Sequence, residues 1–114
     1  MDTKNLSCVR NDNKTWLLTF KDENGTAVDI TGWTVFFTCK NSREDVDADA
    51  LISYDITSHT DPTNGQTKIE LTTTDTARLG SYPYDIQIKK TDGKITTVVT
   101  GDLSFVEDVT IRTS

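Results

Sequence analysis

A chain of 114 residues with a net charge of −6 and 34% hydrophobic residues has room for one domain around one core, and no second domain. Its acidic balance, with an isoelectric point of about 4.6, repels phosphate backbones and argues against nucleic acid as a partner. No apolar run approaches the length of a membrane span, so no membrane partner is expected either.

The first residues, "MDTKNLSCVR", lack the apolar stretch of a secretory signal. The sequons at Asn5, Asn13 and Asn24 then carry no meaning, because glycosylation acceptors matter only in secreted chains. Residues 6–10 read as a weak strand. In "KTWLLTF", Trp16, Leu18 and Phe20 share one face of a second. Asn24-Gly25 reads as a two-residue hairpin turn, as do Asn64-Gly65 and Asp92-Gly93, since both residues of each pair tolerate positive φ. Next comes "WTVFFTCK", with Trp33, Val35, Phe37 and Cys39 on one face. Phe36 falls on the other, so this strand reads as covered on both sides. The cysteines, Cys8 and Cys39, sit in strand patterns with no Cys-x-x-Cys pair. That excludes a structural zinc site and favours buried free thiols.

The polar stretch 41–49 reads as an exposed loop. Asp45, Asp47 and Asp49 have the odd spacing of a calcium loop, but Ala50 and Ile56 stand where such a loop needs glycine and glutamate. No metal is expected there. After a weak strand at 51–57, the single histidine, His59, lies in a turn-rich loop with no nucleophile ordered beside it. No elbow, phosphate-cradling glycine loop or other constellation meets the requirements of a reaction. The chain therefore reads as no enzyme, with no cofactor. Tyr54 and Phe36 are candidate contacts, for a subunit or for a surface glycan.

Residues 67–72 read as another strand. "TTDTARL" offers Thr74 or Asp75 as the cap of one short turn. The cleanest alternation follows in "YPYDIQIK", where Tyr82, Tyr84, Ile86 and Ile88 line one face. Pro83 interrupts it. Proline lacks the ladder donor and fits only a strand start, a bulge or an edge. Two more runs, 94–100 and the tail from Asp102, complete the chain. The sum is an all-β, Ig-like antiparallel β-sandwich of seven to eight strands, as one domain over residues 1–114. Gly80 and Tyr82 have the spacing of a tyrosine corner, in which a hydroxyl turns back to upstream backbone. Tyr84 stands where antibody-like domains carry their second cysteine. Trp16, Trp33, Phe37, Gly80, Tyr82, Tyr84 and Ile86 are expected to build the core and this corner.

The segments Asp29 to Gly32, Trp33 to Lys40, Gly80 to Ile86, Gly101 to Leu103 and Asp108 to Thr110 together carry a resemblance. The pattern is similar to small β-sandwich modules of tailed bacteriophages and resembles the N-terminal domain of the phage baseplate upper protein. The resemblance implies a non-enzymatic structural protein of the virion, in a tail or baseplate, neck or capsid-surface position. It implies other virion proteins as partners, a homo-oligomer that is threefold in many such modules, and assembly in the bacterial host cytoplasm. Residues 1–7 and 105–114 would then be docking arms, with Phe105 and Val106 as partner contacts. The alternative is a carbohydrate- or host-receptor-binding module of the same fold.

Overall fold

Period-two alternation becomes strands that face a common core. The computed structural model describes residues 2–42 and 50–107. It has strands β1 (Asp2–Thr3), β2 (Leu6–Val9), β3 (Lys14–Thr19), β4 (Thr34–Cys39), β5 (Ile52–Ile56), β6 (Gln66–Leu71), β7 (Gly80–Lys89) and β8 (Ile95–Val106), with one 3-10 turn at Pro62–Asn64. The larger sheet runs β1-β8-β7-β4-β5, with β2 also on β8, and the smaller sheet is β3-β6. Pairing is antiparallel except for β1 and β2, which run parallel to β8. The result is an all-β sandwich of unequal sheets.

The core lies between the sheets. Val35, Phe37 and Cys39 of β4 are fully buried, and Ile69 and Leu71 of β6, Ile86 and Ile88 of β7, and Leu103 and Phe105 of β8 close around them. Burying each large side chain contributes about 1.5–3 kcal/mol. The rings of Phe37 and Tyr84 lie 5.7 Å apart. Trp16 and Trp33 are only half-buried and pack on the rim of this cluster. Trp33 precedes β4, with Phe20 edge-on at 6.1 Å and Lys90 over its ring at 5.4 Å.

Two expectations about turns and termini change. In each Asn-Gly or Asp-Gly pair only the glycine has positive φ: Gly25 at 78°, Gly65 at 72° and Gly93 at 87°. Gly25 N–H donates to Asp22 and Gly93 N–H to Lys90, so each glycine closes a longer turn as its last, left-handed residue. Gly65 has no alternative, because a Cβ there would lie 2.6 Å from the Phe20 carbonyl oxygen. Of the arm expected over 1–7, the described residues 2–7 are not free. Asp2, Thr3, Leu6 and Ser7 are paired along β8, where the long last strand would otherwise expose its edge. Phe105 is not a partner contact. It is 3% exposed, because it shares the inward face with Leu103 and lies opposite Cys8. Residues 108–114 and the Asp45–Asp49 spacing lie outside the described residues.

Pro83 sits inside β7, opposite Asp102 of β8. Its carbonyl accepts from Lys40 N–H, just past the end of β4. The N–H that proline lacks would point the same way, toward the Lys40 carbonyl, so the one bond forgone falls just past the end of β4 and the pairs from Cys39 back to Thr34 are untouched. Further along, Ile86 pairs with Val99 but Gln87 with Thr97, so Val98 is the extra residue of a bulge. Cys8 and Cys39 are both free and buried. Strands β8 and β7 lie between theirs, a separation of roughly 14 Å that no disulfide spans. Burial pushes the Cys39 thiol up to about 11.

Candidate functional site

The tyrosine stretch closes one flank of the sandwich. Gly80 turns the chain at φ 114°, and two residues later the Tyr82 hydroxyl donates to the Leu79 carbonyl at 2.7 Å. The Tyr82 ring packs on Phe105 with centroids 6.0 Å apart. Tyr84 reaches further, donating to the Lys4 carbonyl at 2.5 Å, and burial raises its phenol above the ordinary value. Lys4 N–H donates to Thr100, and Asp102 N–H donates to the Asn5 side chain at 3.1 Å. The kink between β1 and β2 fits because Gly101 has no side chain: a Cβ there would stand 2.1 Å from the Lys4 oxygen.

The opposite flank is left open. β5 ends the larger sheet and β6 has only β3 beside it. The inward face of β5 therefore extends past β6 and forms the floor of a groove of about 430 Å³, lined by Tyr54, Ile56, Ser58, His59, Thr60, Lys68 and Glu70. Its two ends are built by side chains and one loop. At one end Asp75 accepts bonds from the Tyr54 hydroxyl, from Thr72 N–H at 2.9 Å and from the Thr72 hydroxyl at 3.2 Å. Desolvation, then the Asp75 bond and charge, push the Tyr54 phenol up to about 12. At the other end Asp61 and Gln66 exchange both main-chain bonds.

The edge between these ends follows from alternation. Phe20 N–H donates to Gly65, so Gly65 faces β3, and Gln66 faces away toward Asp61. Along an antiparallel strand the direction alternates. Thr67, Ile69 and Leu71 therefore bond to β3, while the main chains of Lys68 and Glu70 point into the groove. Among the described residues these four polar groups have no main-chain partner in the larger or the smaller sheet.

His59 is a strut beside this groove. The Trp33 carbonyl can only accept, so Nε2–H donates to it at 2.7 Å, while Nδ1 pairs with the Thr67 hydroxyl at 2.9 Å. Both ring nitrogens are used in tying β6 to the start of β4. The described residues contain no cluster of three His, Cys, Asp or Glu able to hold a metal ion.

Of the expected contact residues, Tyr54 faces inward from β5 and lines the groove, beside its cross-strand partner Phe37 of β4. Phe36 lies on the outer face of the larger sheet, half-buried between Asp55 and Gln87. Val106 is 47% exposed, with Leu79 at 45%. The sequence pointed to none of Asp61, Lys68 and Glu70 as belonging together, and it placed Asp75 at a turn but not against Tyr54. The only local signal was Thr72, three residues before Asp75.

A small β-sandwich module, with one flank of its larger sheet sealed and a groove open along β6 on the other, is the class that this fold and groove define. The chain belongs to the family of the BppU N-terminal domain, whose family model matches residues 2–112. It therefore takes its place beside the N-terminal domain of the baseplate upper protein, and that family points to a structural role in the phage tail or baseplate. Among solved structures, the N-terminal domain of phage TP901-1 ORF48 is 14% identical, with 91% of this chain and 82% of that chain covered and a TM-score of 0.49. The Ig-like domain of mouse leukocyte-associated immunoglobulin-like receptor 1, a strand-swapped dimer, is 13% identical over 93% of this chain and 90% of that one, with a TM-score of 0.48. A family 123 glycoside hydrolase from Clostridium perfringens is 12% identical over 96% of this chain but 24% of its own, with a TM-score of 0.42. No curated protein matches the chain in sequence.

Proposed function

We propose that the chain is a non-enzymatic structural component of a phage virion, acting in the tail or baseplate through protein–protein assembly. The observation that carries this reading is membership of the baseplate family over residues 2–112. The strand order supports an immunoglobulin-like form of the sandwich, with β8-β7-β4-β5 in one sheet and β3-β6 in the other. A homo-oligomer put together in the host cytoplasm and carried in the particle fits the same reading. Phe36 and Val106 are its proposed outward contacts.

Mass spectrometry of purified virions tests this directly, together with electron microscopy of particles made without the gene. The chain should be present in stoichiometric amounts, and particles lacking it should have incomplete tails. Its absence from virions would overturn the proposal. Strong binding of the isolated chain to a glycan array would favour the carbohydrate-binding alternative instead.

A further inference from the structure

We infer that the groove along β6 accepts one extended strand from a neighbouring protein, carrying an acidic and a basic side chain two residues apart with an apolar one between them. The inference rests on the assembly role above for the source of the strand; the receptive edge itself is a property of this chain. Along β6 the main-chain edge is open at Lys68 and Glu70. Gln66 is taken by Asp61 on one side and Thr72 by Asp75 on the other. A strand added there makes main-chain bonds with those two residues, and alternation fixes where its side chains go.

The incoming residues opposite Lys68 and Glu70 point outward beside an ammonium and a carboxylate. An acid opposite Lys68 and a base opposite Glu70 give two favourable cross-strand pairs, whereas like charges there repel. The residue between them points inward, onto the floor of Tyr54 and Ile56. That position calls for an apolar side chain such as valine.

The floor also selects a lone strand over a folded copy. β5 projects beneath the position that the added strand takes. A second copy that approached with its own β6 would bring its own β5 into the same space. An arm with no sandwich attached at that point meets no such obstacle.

The test uses the isotope-labelled full chain and the synthetic peptide acetyl-Thr-Val-Asp-Val-Lys-Val-Thr-amide. Its charge-reversed form (Lys before Asp) serves the opposite strand direction, and a form with two lysines is the control. Addition of one Asp/Lys peptide should shift the amide resonances of Lys68 and Glu70 and the side chains of Tyr54 and Ile56. It should slow hydrogen exchange at the two amides and bind at least about tenfold tighter than the two-lysine form. Lys68→Pro removes an amide that bonds nothing within the fold, so it should weaken binding at least about tenfold with an unchanged melting temperature. Shifts elsewhere, equal binding of all three peptides, or slow exchange at both amides before any peptide is added would overturn the inference. So would protection that appears on concentrating the protein alone, which would assign the groove to a second copy. Virions that contain the chain while no peptide binds would remove this inference and leave the assembly role. Virions without the chain would remove that role and leave a peptide result standing.

Discussion

Both flanks of the larger sheet set a tyrosine on the inner face and fasten its hydroxyl, but they fasten it to different things. Tyr84 bonds to the main chain of a segment that continues the sheet. Tyr54 bonds to Asp75, a side chain on a turn. The first bond seals an edge, because β1 and β2 cover β8. The second braces the end of an edge that stays open. The lesson is that an inward tyrosine marks a boundary of the core without revealing whether a strand lies beyond it.

Substitutions on the two flanks should therefore differ in cost. The largest loss is expected for Gly101→Val, which drives a side chain into the Lys4 carbonyl; about 3 kcal/mol should be lost in denaturant unfolding. Tyr84→Phe should follow at about 2 kcal/mol, because it strands a carbonyl that the hydroxyl satisfied. Equal melting curves for Tyr84→Phe and the parent chain would mean that the seal does not depend on this bond. Tyr82→Phe should cost about 1 kcal/mol, since its bond to Leu79 lies nearer solvent.

Alkaline melting sharpens the comparison from the open flank. The Tyr54 phenol titrates near 10 in an unfolded chain and is pushed up to about 12 in the fold. Its contribution is fully present below pH 10 and is lost as pH rises from there toward 12. Tyr54→Phe should flatten the decline of melting temperature in that window. Cys39, raised from 9 to about 11, should produce an earlier decline between those values, and Cys39→Ala should remove it. The smallest effect is expected for Lys68→Pro, within about 0.5 kcal/mol, because the lost N–H faces the groove. A loss several times larger would show that this amide already has a partner.

Much of the fold was legible because burial imposes period two. Val35, Phe37 and Cys39, and Tyr84, Ile86 and Ile88, fall on one inner face as the alternation required. The same alternation at Gly101, Leu103 and Phe105 held the information that Phe105 is core. The expectation of a docking arm set that pattern aside. Likewise, Leu6 and Cys8 alternate in the strand expected over 6–10, yet the expected arm 1–7 also claimed Leu6, because no partner strand is adjacent to it in sequence. The groove was not legible for a different reason. Periodicity assigns a residue to a face, but an open edge depends on which strands are neighbours, and β5 and β6 belong to different sheets. Lys68 and Glu70 look like any solvated pair until β6 is known to have one partner.

The parallel clasp of β1 and β2 on β8 also sets an order of events. Cys8 lies opposite Phe105 and Leu6 opposite Leu103, each pair joined through nearly the whole length of the chain. Contacts so distant in sequence form late, because most of the loop entropy must be lost before they stabilise anything. On the ribosome, β2 emerges before β8 and waits for it. Until then the edge of β8 does not exist, and Leu6 and Cys8 have nowhere to be buried. Folding of this sandwich is therefore expected to complete only after synthesis of residue 106, with the Tyr84 hydroxyl closing on Lys4 among its final steps.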